Sequence, residues 1–192
     1  MNCLFFDVEC AKCDKHGVGY ICEFGYVLSD ENFNILEENH FIINPNHSFD
    51  WYAIKNILHY SEDRYKSSPL FSEFYDTIKS VLSREEQYII GHTTEADYKY
   101  IRSECQRYNL PLINCSYYDI RTPFKILQKE EKYSKLENMA IKLQLKPEKR
   151  FHDALFDSLM TMKVCQCLCS IHGLSMRELL SIQKTNGVPL AK

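Results

Sequence analysis

The sequence lacks the features of a fibrous, membrane-spanning or strongly basic protein. Its 192 residues contain only six glycines and six prolines, which excludes a collagen-like or linker-rich chain. The formal net charge of −3 excludes a global attraction to nucleic acid or to an anionic membrane, so nucleic-acid binding has to be local or carried by metal ions. No apolar run approaches the ~20 residues that span a bilayer, so no membrane partner is expected.

The chain also lacks a signal peptide and a paired set of cysteines. No basic stretch precedes the apolar residues at the start, and Asp7 interrupts them at once. The nine cysteines are an odd number and are predicted to be free thiols in a reducing compartment, which predicts a cytoplasmic protein. The length fits one domain, predicted to cover residues 1–185, with a polar tail at 186–192.

Hydrophobic patterns predict an antiparallel β-meander followed by alternating helices and strands. The predicted strands are 4–8, 20–28, 33–44, 88–91 and 112–120, with a loop at 10–19. The predicted helices begin near 68, 95, 134, 153 and 175, two of them at Ser-x-x-Glu capping boxes, Ser134–Glu137 and Ser175–Glu178. This order predicts an α/β fold in which helices flank a mixed five-stranded sheet of antiparallel and parallel strands.

Two carboxylates, Asp7 and Glu9, end the first predicted strand. Because strand side chains alternate, both point to one face, while Phe6 and Val8 point to the other and anchor the strand in the core. Adjacent carboxylates repel each other and raise their own pKa values, a cost that a divalent cation removes. Hard oxygen ligands suit Mg²⁺ or Mn²⁺. The alternative is that the strand simply ends here and both acids are solvated.

Two later segments carry further acids and one histidine. Residues 89–97 are predicted to form a strand, a turn and a first helical turn with Asp97, at the kind of strand end where α/β sheets bind ligands. Next, His152 precedes a long helix that contains Asp157 among apolar neighbours, where an acid requires a metal or a hydrogen-bond partner. The alternatives are that Asp97 complements the helix dipole and that Asp157 pairs with Lys163 or water.

These segments together resemble the DEDDh family of 3′-to-5′ exonucleases. Phe6-Asp7-Val8-Glu9 resembles the first motif of that family, Asp-x-Glu, and residues 91–97 resemble the second. His152 and Asp157 match the third motif, a histidine followed five residues later by an aspartate. Residues 21–27 and 134–143 resemble the second strand of the family and the leucine-rich helix before its third motif.

The chain departs from the family pattern at three places. Cys10-Ala11-Lys12 replaces the usual Thr-Thr-Gly, a loop that normally touches the terminal nucleotide. Thr93 replaces the usual asparagine, and Ala96 replaces an aromatic residue before Asp97. These departures change the expected support of the site but leave every reactive group in place.

The resemblance implies an RNase H-like fold, two metal ions and hydrolysis of single-stranded DNA or RNA from the 3′ end. Asp7 would bridge both ions, Glu9 and Asp157 would hold one, and Asp97 would hold the other. His152 would accept the proton of the attacking water, and nucleoside 5′-monophosphates would be released. Relatives of this kind act as homodimers or with a polymerase, so either partner is compatible with the sequence.

Other residues are predicted around this site. The candidates for substrate contact are Cys10, Ala11, His92, Lys149 and Arg150. Asp153 is expected to cap the helix before Asp157, and Glu23 either orients the site or faces the sheet edge.

Three alternative functions remain open at this point. The spacing of Cys10, Cys13 and His16 resembles a zinc site, which would make the loop a binding module. A non-catalytic nucleic-acid-binding scaffold and a phosphodiesterase for short oligonucleotides are the others.

Overall fold

The computed structural model describes residues 1–13 and 18–185, which include a mixed five-stranded sheet. Its strands are β1 (Asn2–Cys13), β2 (Gly19–Ser29), β3 (Ile35–Ile42), β4 (Gln87–Gly91) and β5 (Tyr117–Asp119). They lie in the order β3-β2-β1-β4-β5. The first three strands pair antiparallel, while β4 pairs parallel to β1 and β5 parallel to β4. The predicted fold class, a mixed sheet flanked by helices, is confirmed.

The helices cover both faces of the sheet. A short π-helix spans Ala53–Ile57, and the α-helices are α1 (Glu62–Lys66), α2 (Phe71–Leu82), α3 (Thr94–Arg107), α4 (Arg121–Leu127), α5 (Leu136–Lys142), α6 (Ala154–His172) and α7 (Met176–Thr185). The alternation of β1 divides the core into two layers. Leu4, Phe6 and Val8 pack with α2 and α3, while Cys3 and Phe5 pack with α5, α6 and α7. Asp7 and Glu9 therefore follow the face that carries α6.

Helix α6 is long and apolar enough to cross a membrane by length and composition alone, contrary to the expectation from the sequence. However, 61% of its most apolar 18-residue stretch is buried inside the protein, where the helix packs on β1 and β2. A core helix that is buried on most sides has the same composition as a membrane span. Packing against the sheet therefore accounts for the apolar character of α6.

Several predicted boundaries differ from the structure. The predicted loop at 10–19 is wrong at both ends, because β1 continues to Cys13 and pairs with β2 there through an irregular register. Strand β5 has only three residues instead of nine, and α1, α4 and the π-helix were not predicted. The capping box at Ser134 is wrong, since that hydroxyl donates to Glu130 and Lys135 takes the cap position. The second capping box is confirmed by the bonds between Ser175 and Glu178.

The first turn of α6 lies directly on β2 at Gly25. A Cβ atom at Gly25 would stand 2.2 Å from the backbone nitrogen of Leu155 and 2.3 Å from the carbonyl carbon of Ala154. The Ser158 hydroxyl donates to the Gly25 carbonyl at 3.0 Å and fixes the crossing. Only glycine allows this approach, so Gly25 sets the distance between the sheet and the helix that carries Asp157.

We predict that Gly25→Ala destabilises the protein by about 1–3 kcal/mol or more, because the new methyl group meets backbone that cannot move aside easily. Urea denaturation measures this loss. The matched control is Gly173→Asn at the end of α6, where φ is +62° and no atom lies within 4 Å of a built Cβ. Asparagine tolerates that conformation, so the control should stay within about 1 kcal/mol of the parent. Equal losses in both variants would contradict the close packing at Gly25.

Candidate active site

The middle of β1 places Asp7 and Glu9 at one end of a cleft of about 360 Å³. Glu9 is 8% exposed, and Asp7 is partly buried. The cleft is also lined by residues from the β4–α3 turn and from the segment that precedes α6, among them Asp97, His152 and Asp157. All five residues predicted to be catalytic therefore meet in one cleft.

Asp97 enters the cleft from the first turn of α3. The turn before α3 is unusual because Thr93 adopts a left-handed conformation, with φ of +65°. The Thr94 hydroxyl donates to the Tyr118 carbonyl at 2.9 Å and ties the start of α3 to β5. Asp97 is 6% exposed, and its Oδ2 atom has no hydrogen-bond partner among the described residues.

His152 and Asp157 reach the cleft from the start of α6. His152 also has a left-handed backbone, with φ of +73°, and its N–H donates to Asp157 Oδ2 at 3.0 Å. The imidazole Nδ1 lies 3.6 Å from Glu9 Oε1, and the side chain is 54% exposed. Asp153 caps α6 by accepting the N–H of Phe156 at 2.9 Å, which confirms the predicted cap. The backbone thus holds Asp157 in place while the imidazole stays accessible.

A buried hydrogen-bond network supports α6 from behind the cleft. Glu23, opposite Glu9 in the sheet, is completely buried and accepts bonds from the Tyr65 hydroxyl and the backbone N–H of Ala154. His40 Nε2 lies 2.8 Å from Glu23 Oε2, the same oxygen that accepts the Ala154 N–H. Of the two readings of Glu23, the structure favours the one that orients the site. Tyr65 and His40 were missed because nothing in their spacing links them to Glu23.

The donor atoms of the cleft fit a divalent cation. Glu9, His152 and Asp157 each offer an atom, and these atoms lie within 4.8 Å of one another. Asp157 Oδ1, like Asp97 Oδ2, is buried without a hydrogen-bond partner among the described residues. Buried, unpaired carboxylate oxygens are costly unless a cation satisfies them. Oxygen-rich sites of this kind suit hard divalent ions.

Burial and mutual repulsion raise the pKa values of all four acids. Burial is the main cause for Asp7 and Asp97, and the charges of Asp97 and Glu9 respectively add to it. Burial also raises the pKa of Glu9, against the contact with His152, and raises the pKa of Asp157 to about 7. The contact with Glu9 raises the pKa of His152. The protein without metal therefore holds these groups at a cost that increases with pH.

The residues predicted to touch substrate differ in their access to the cleft. His92 lines the cleft and its Nε2 contacts the Ser134 carbonyl at 2.9 Å. Cys10 is half-buried at the border of a core cluster, and Ala11 is completely buried under the π-helix. The Ala11 side chain is thus not available to a nucleotide, which corrects that prediction.

The basic pair before His152 is exposed at the surface. Lys149 and Arg150 are both exposed, but the Arg150 guanidinium donates to the Ile57 and Leu58 carbonyls at 2.9 and 3.1 Å. Arg150 thus tethers the segment before His152 to the end of the π-helix, and its contact with substrate stays a prediction. His16 of the alternative zinc site lies outside the described residues.

A larger hollow of about 930 Å³ lies elsewhere, among the starts of β1, β4 and α7. Its lining is mostly apolar or aromatic, including Phe33, Tyr88 and Tyr118, with Glu31 and Arg177 as its charged side chains. None of the clustered acids faces it. The smaller cleft, which is lined by the four acids and His152, is the candidate active site.

Comparisons with known proteins agree with this geometry. The sequence profile of the exonuclease family matches residues 4–165, and the chain belongs to this family. The enzyme class is therefore a nuclease that hydrolyses phosphodiester bonds. No curated protein sequence matches the chain.

Solved structures share the fold at low sequence identity. A full-length 3′-exonuclease has a TM-score of 0.76 at 18% identity, covering 91% of this chain and 83% of its own. The nuclease domain of 3′hExo, a DEDDh family member bound to rAMP, has a TM-score of 0.69 at 18% identity, covering 99% and 94%. Exonuclease X in complex with 5′ overhanging duplex DNA has a TM-score of 0.69 at 17% identity, covering 94% and 98%.

The raised pKa of Asp157 predicts a pH-dependent stability. A folded-state pKa of about 7, above the ordinary aspartate value of 3.8, means that the folded protein binds more protons than the unfolded chain between these pH values. This contribution to stability is complete below about pH 4 and is lost as pH rises to about 7. In metal-free buffer, Asp157→Asn should therefore gain stability relative to the parent as pH rises from 4 to 8, measured by urea denaturation. If the unfolding free energies of the variant and the parent changed in parallel with pH, the raised pKa of Asp157 would be contradicted.

The left-handed backbone at Thr93 predicts a stabilising substitution. A β-branched residue at φ of +65° is strained, while asparagine adopts this conformation readily. We predict that Thr93→Asn raises the free energy of unfolding by about 1 kcal/mol. Thr94→Asn is the control, because it removes the bond to Tyr118 at a helical position and should destabilise. A loss of stability in Thr93→Asn would contradict the strain.

Proposed function

We propose that the protein is a metal-dependent 3′-to-5′ exonuclease that releases nucleoside 5′-monophosphates from single-stranded DNA or RNA. The observation that carries this proposal is the meeting of four carboxylates from β1, α3 and α6 with one accessible histidine in a single cleft. The family match supports hydrolysis of nucleic acid, and the names of the structural neighbours support attack at a 3′ end.

The proposed cofactor is a pair of Mg²⁺ or Mn²⁺ ions held by Asp7, Glu9, Asp97 and Asp157. Bound ions of this kind stabilise the attacking and leaving oxygens of an in-line phosphoryl displacement. Glu9 and Asp157 lie close enough to share one ion with a water molecule, since their oxygens belong to the group within 4.8 Å. Asp97 offers its unpaired Oδ2 from the α3 side of the cleft, where its charge acts on Asp7.

His152 is proposed to accept the proton of the attacking water. Its imidazole is half exposed and next to Glu9, so it can reach a water bound between the two carboxylates. The charge of Glu9 stabilises the protonated imidazole that results. A protonated imidazole cannot accept a proton, so we expect the activity to fall when pH drops below the pKa of His152. The contact with Glu9 raises that pKa and therefore raises the pH at which the activity falls.

The proposed location is the cytoplasm. In support, Cys3, Cys105, Cys165 and Cys169 are buried free thiols. Burial raises the pKa of Cys3 to about 12 and that of Cys169 to about 11, so these thiols stay protonated.

The proposal predicts a ladder of products that shortens from one end only. DNA and RNA strands labelled at the 5′ end and incubated with Mn²⁺ should lose single nucleotides from the 3′ end. Asp7→Asn and Asp157→Asn should abolish the reaction, and His152→Ala should slow it by about 10²–10⁴-fold, the range of general-base catalysis.

The controls separate lost chemistry from lost folding. Asp153→Asn keeps a capping side chain at the start of α6 and should retain most activity. Internal cuts in the labelled strands, or full activity in both Asp7→Asn and Asp157→Asn, would contradict the proposal.

A further inference from the structure

The two residues directly before the π-helix are exposed aromatics that the catalytic chemistry does not use. Trp51, the only tryptophan in the sequence, is 70% exposed, and Tyr52 next to it is 61% exposed. A tryptophan side chain can bury 150–250 Å² of apolar surface, roughly the upper limit for any residue. Leaving it in water gives up that stabilisation, so folding does not explain its position.

Hydrogen bonds fix the segment around Trp51 to β1 and to the residues that precede α6. The Asp50 N–H donates to the Ala11 carbonyl at 2.9 Å, two residues after Glu9 on β1. Farther along the segment, Arg150 donates to the Ile57 carbonyl, and His59 Nε2 lies 3.0 Å from the Phe151 carbonyl. The segment that carries Trp51 is therefore anchored to the chain that follows Glu9 and to the chain that precedes His152.

The surroundings of the ring suit a nucleic-acid strand. The Lys55 ammonium lies 4.6 Å from the centre of the Trp51 ring, so a positive charge accompanies the aromatic face. Asp50 accepts the Tyr52 N–H at 2.8 Å and holds the turn that presents the ring. Aromatic faces beside positive charges bind single strands because every base has a π-face and every linker a phosphate.

The size of the cleft leaves the rest of the strand outside. A volume of about 360 Å³ is near the lower end of ligand sites, which hold one small molecule. Under the proposed function the terminal nucleotide occupies this cleft, so the upstream nucleotides lie outside it.

We propose that Trp51 is a stacking platform for an upstream base of the substrate strand. This inference rests on the proposed function and adds to it a preference for strands longer than a dinucleotide. Trp51 acts on substrate binding and takes no part in bond cleavage.

The test measures binding without hydrolysis. Asp7→Asn chains are titrated, with Mg²⁺ present, into 5′-fluorescein-labelled single strands of twelve nucleotides, each with one abasic position moved stepwise from the 3′ end. Fluorescence anisotropy gives the dissociation constant. Adding Trp51→Ala should weaken binding of the intact strand roughly five- to 150-fold, the range for loss of one stacked base. Trp51→Phe should retain most of the affinity.

The abasic series identifies the base that is stacked. At one upstream position, loss of the base should weaken binding to chains with Trp51 but not to Trp51→Ala, because the two changes remove the same contact. Binding of the intact strand should also quench the tryptophan emission excited at 295 nm, a signal that can only come from Trp51. Absence of coupling at every position, together with unchanged emission, would overturn the proposal.

Tyr133 provides the matched control on another wall of the site. It is 52% exposed, with Arg121 and Lys125 at 5.2 and 5.1 Å from its ring, and the adjacent Ser134 carbonyl contacts His92 of the cleft. Loss of affinity in Tyr133→Ala with none in Trp51→Ala would place the strand on that wall and overturn the proposal.

Dinucleotide hydrolysis distinguishes failure of this inference from failure of the proposed function. In the otherwise unmutated chain with Mn²⁺, Trp51→Ala should cleave a dinucleotide at the unmutated rate and show a raised KM, with unchanged kcat, on a twelve-nucleotide strand. If Trp51→Ala cleaves both substrates as the unmutated chain does, the platform is overturned and the proposed function stands. No cleavage of either substrate by the unmutated chain overturns the proposed function and the platform with it.

Discussion

Mutual repulsion among buried carboxylates is the constraint on which the rest of this structure depends. Asp7, Glu9, Asp97 and Asp157 come from three elements and meet in one small cleft, where burial and neighbouring charge raise all four pKa values. Such an arrangement costs free energy in the absence of cations. Functional sites are the usual place for this cost, because the same repulsion gives a divalent ion its affinity.

The fold resists this repulsion by fixing each acid through its backbone. Helix α6 can approach β2 only because Gly25 has no side chain, and the buried Glu23 binds the N–H of Ala154 at the same end of the helix. His152 and Thr93 hold left-handed conformations next to the acids that they precede. Strain of this kind persists where surrounding contacts enforce it, and here it stands at both junctions that deliver acids to the cleft.

The sequence predicted those elements in which apolar residues repeat at the regular spacing of a strand or a helix. Alternation along β1 placed Asp7 and Glu9 on one face and Phe6 and Val8 on the other, as the structure has them. Apolar residues at helical spacing located α2, a capping box located α7, and the length of its apolar sequence located α6. Strand β5 has three residues, too few for a pattern to define.

The parts that could not be predicted depend on contacts between distant residues. Nothing in the sequence links Tyr65 or His40 to Glu23, since these contacts exist only after α1 and β3 have packed next to β2. The burial of Ala11 has the same origin, because the segment that covers it begins about 40 residues later. Patterns of apolar residues predict which elements form, whereas tertiary packing decides which loop residues remain accessible.

The central claim is that the four carboxylates form one shared cation site. Titration calorimetry with Mn²⁺ tests it directly, on the unmutated chain and on Asp97→Asn, Asp157→Asn and Asp119→Asn. Asp119 is an acid near the cleft that is already paired with Arg121, so its loss should leave Mn²⁺ binding intact. The account predicts two bound ions in the unmutated chain and in Asp119→Asn, with at least one lost in each of the other variants. Equal Mn²⁺ binding by all four chains would contradict it.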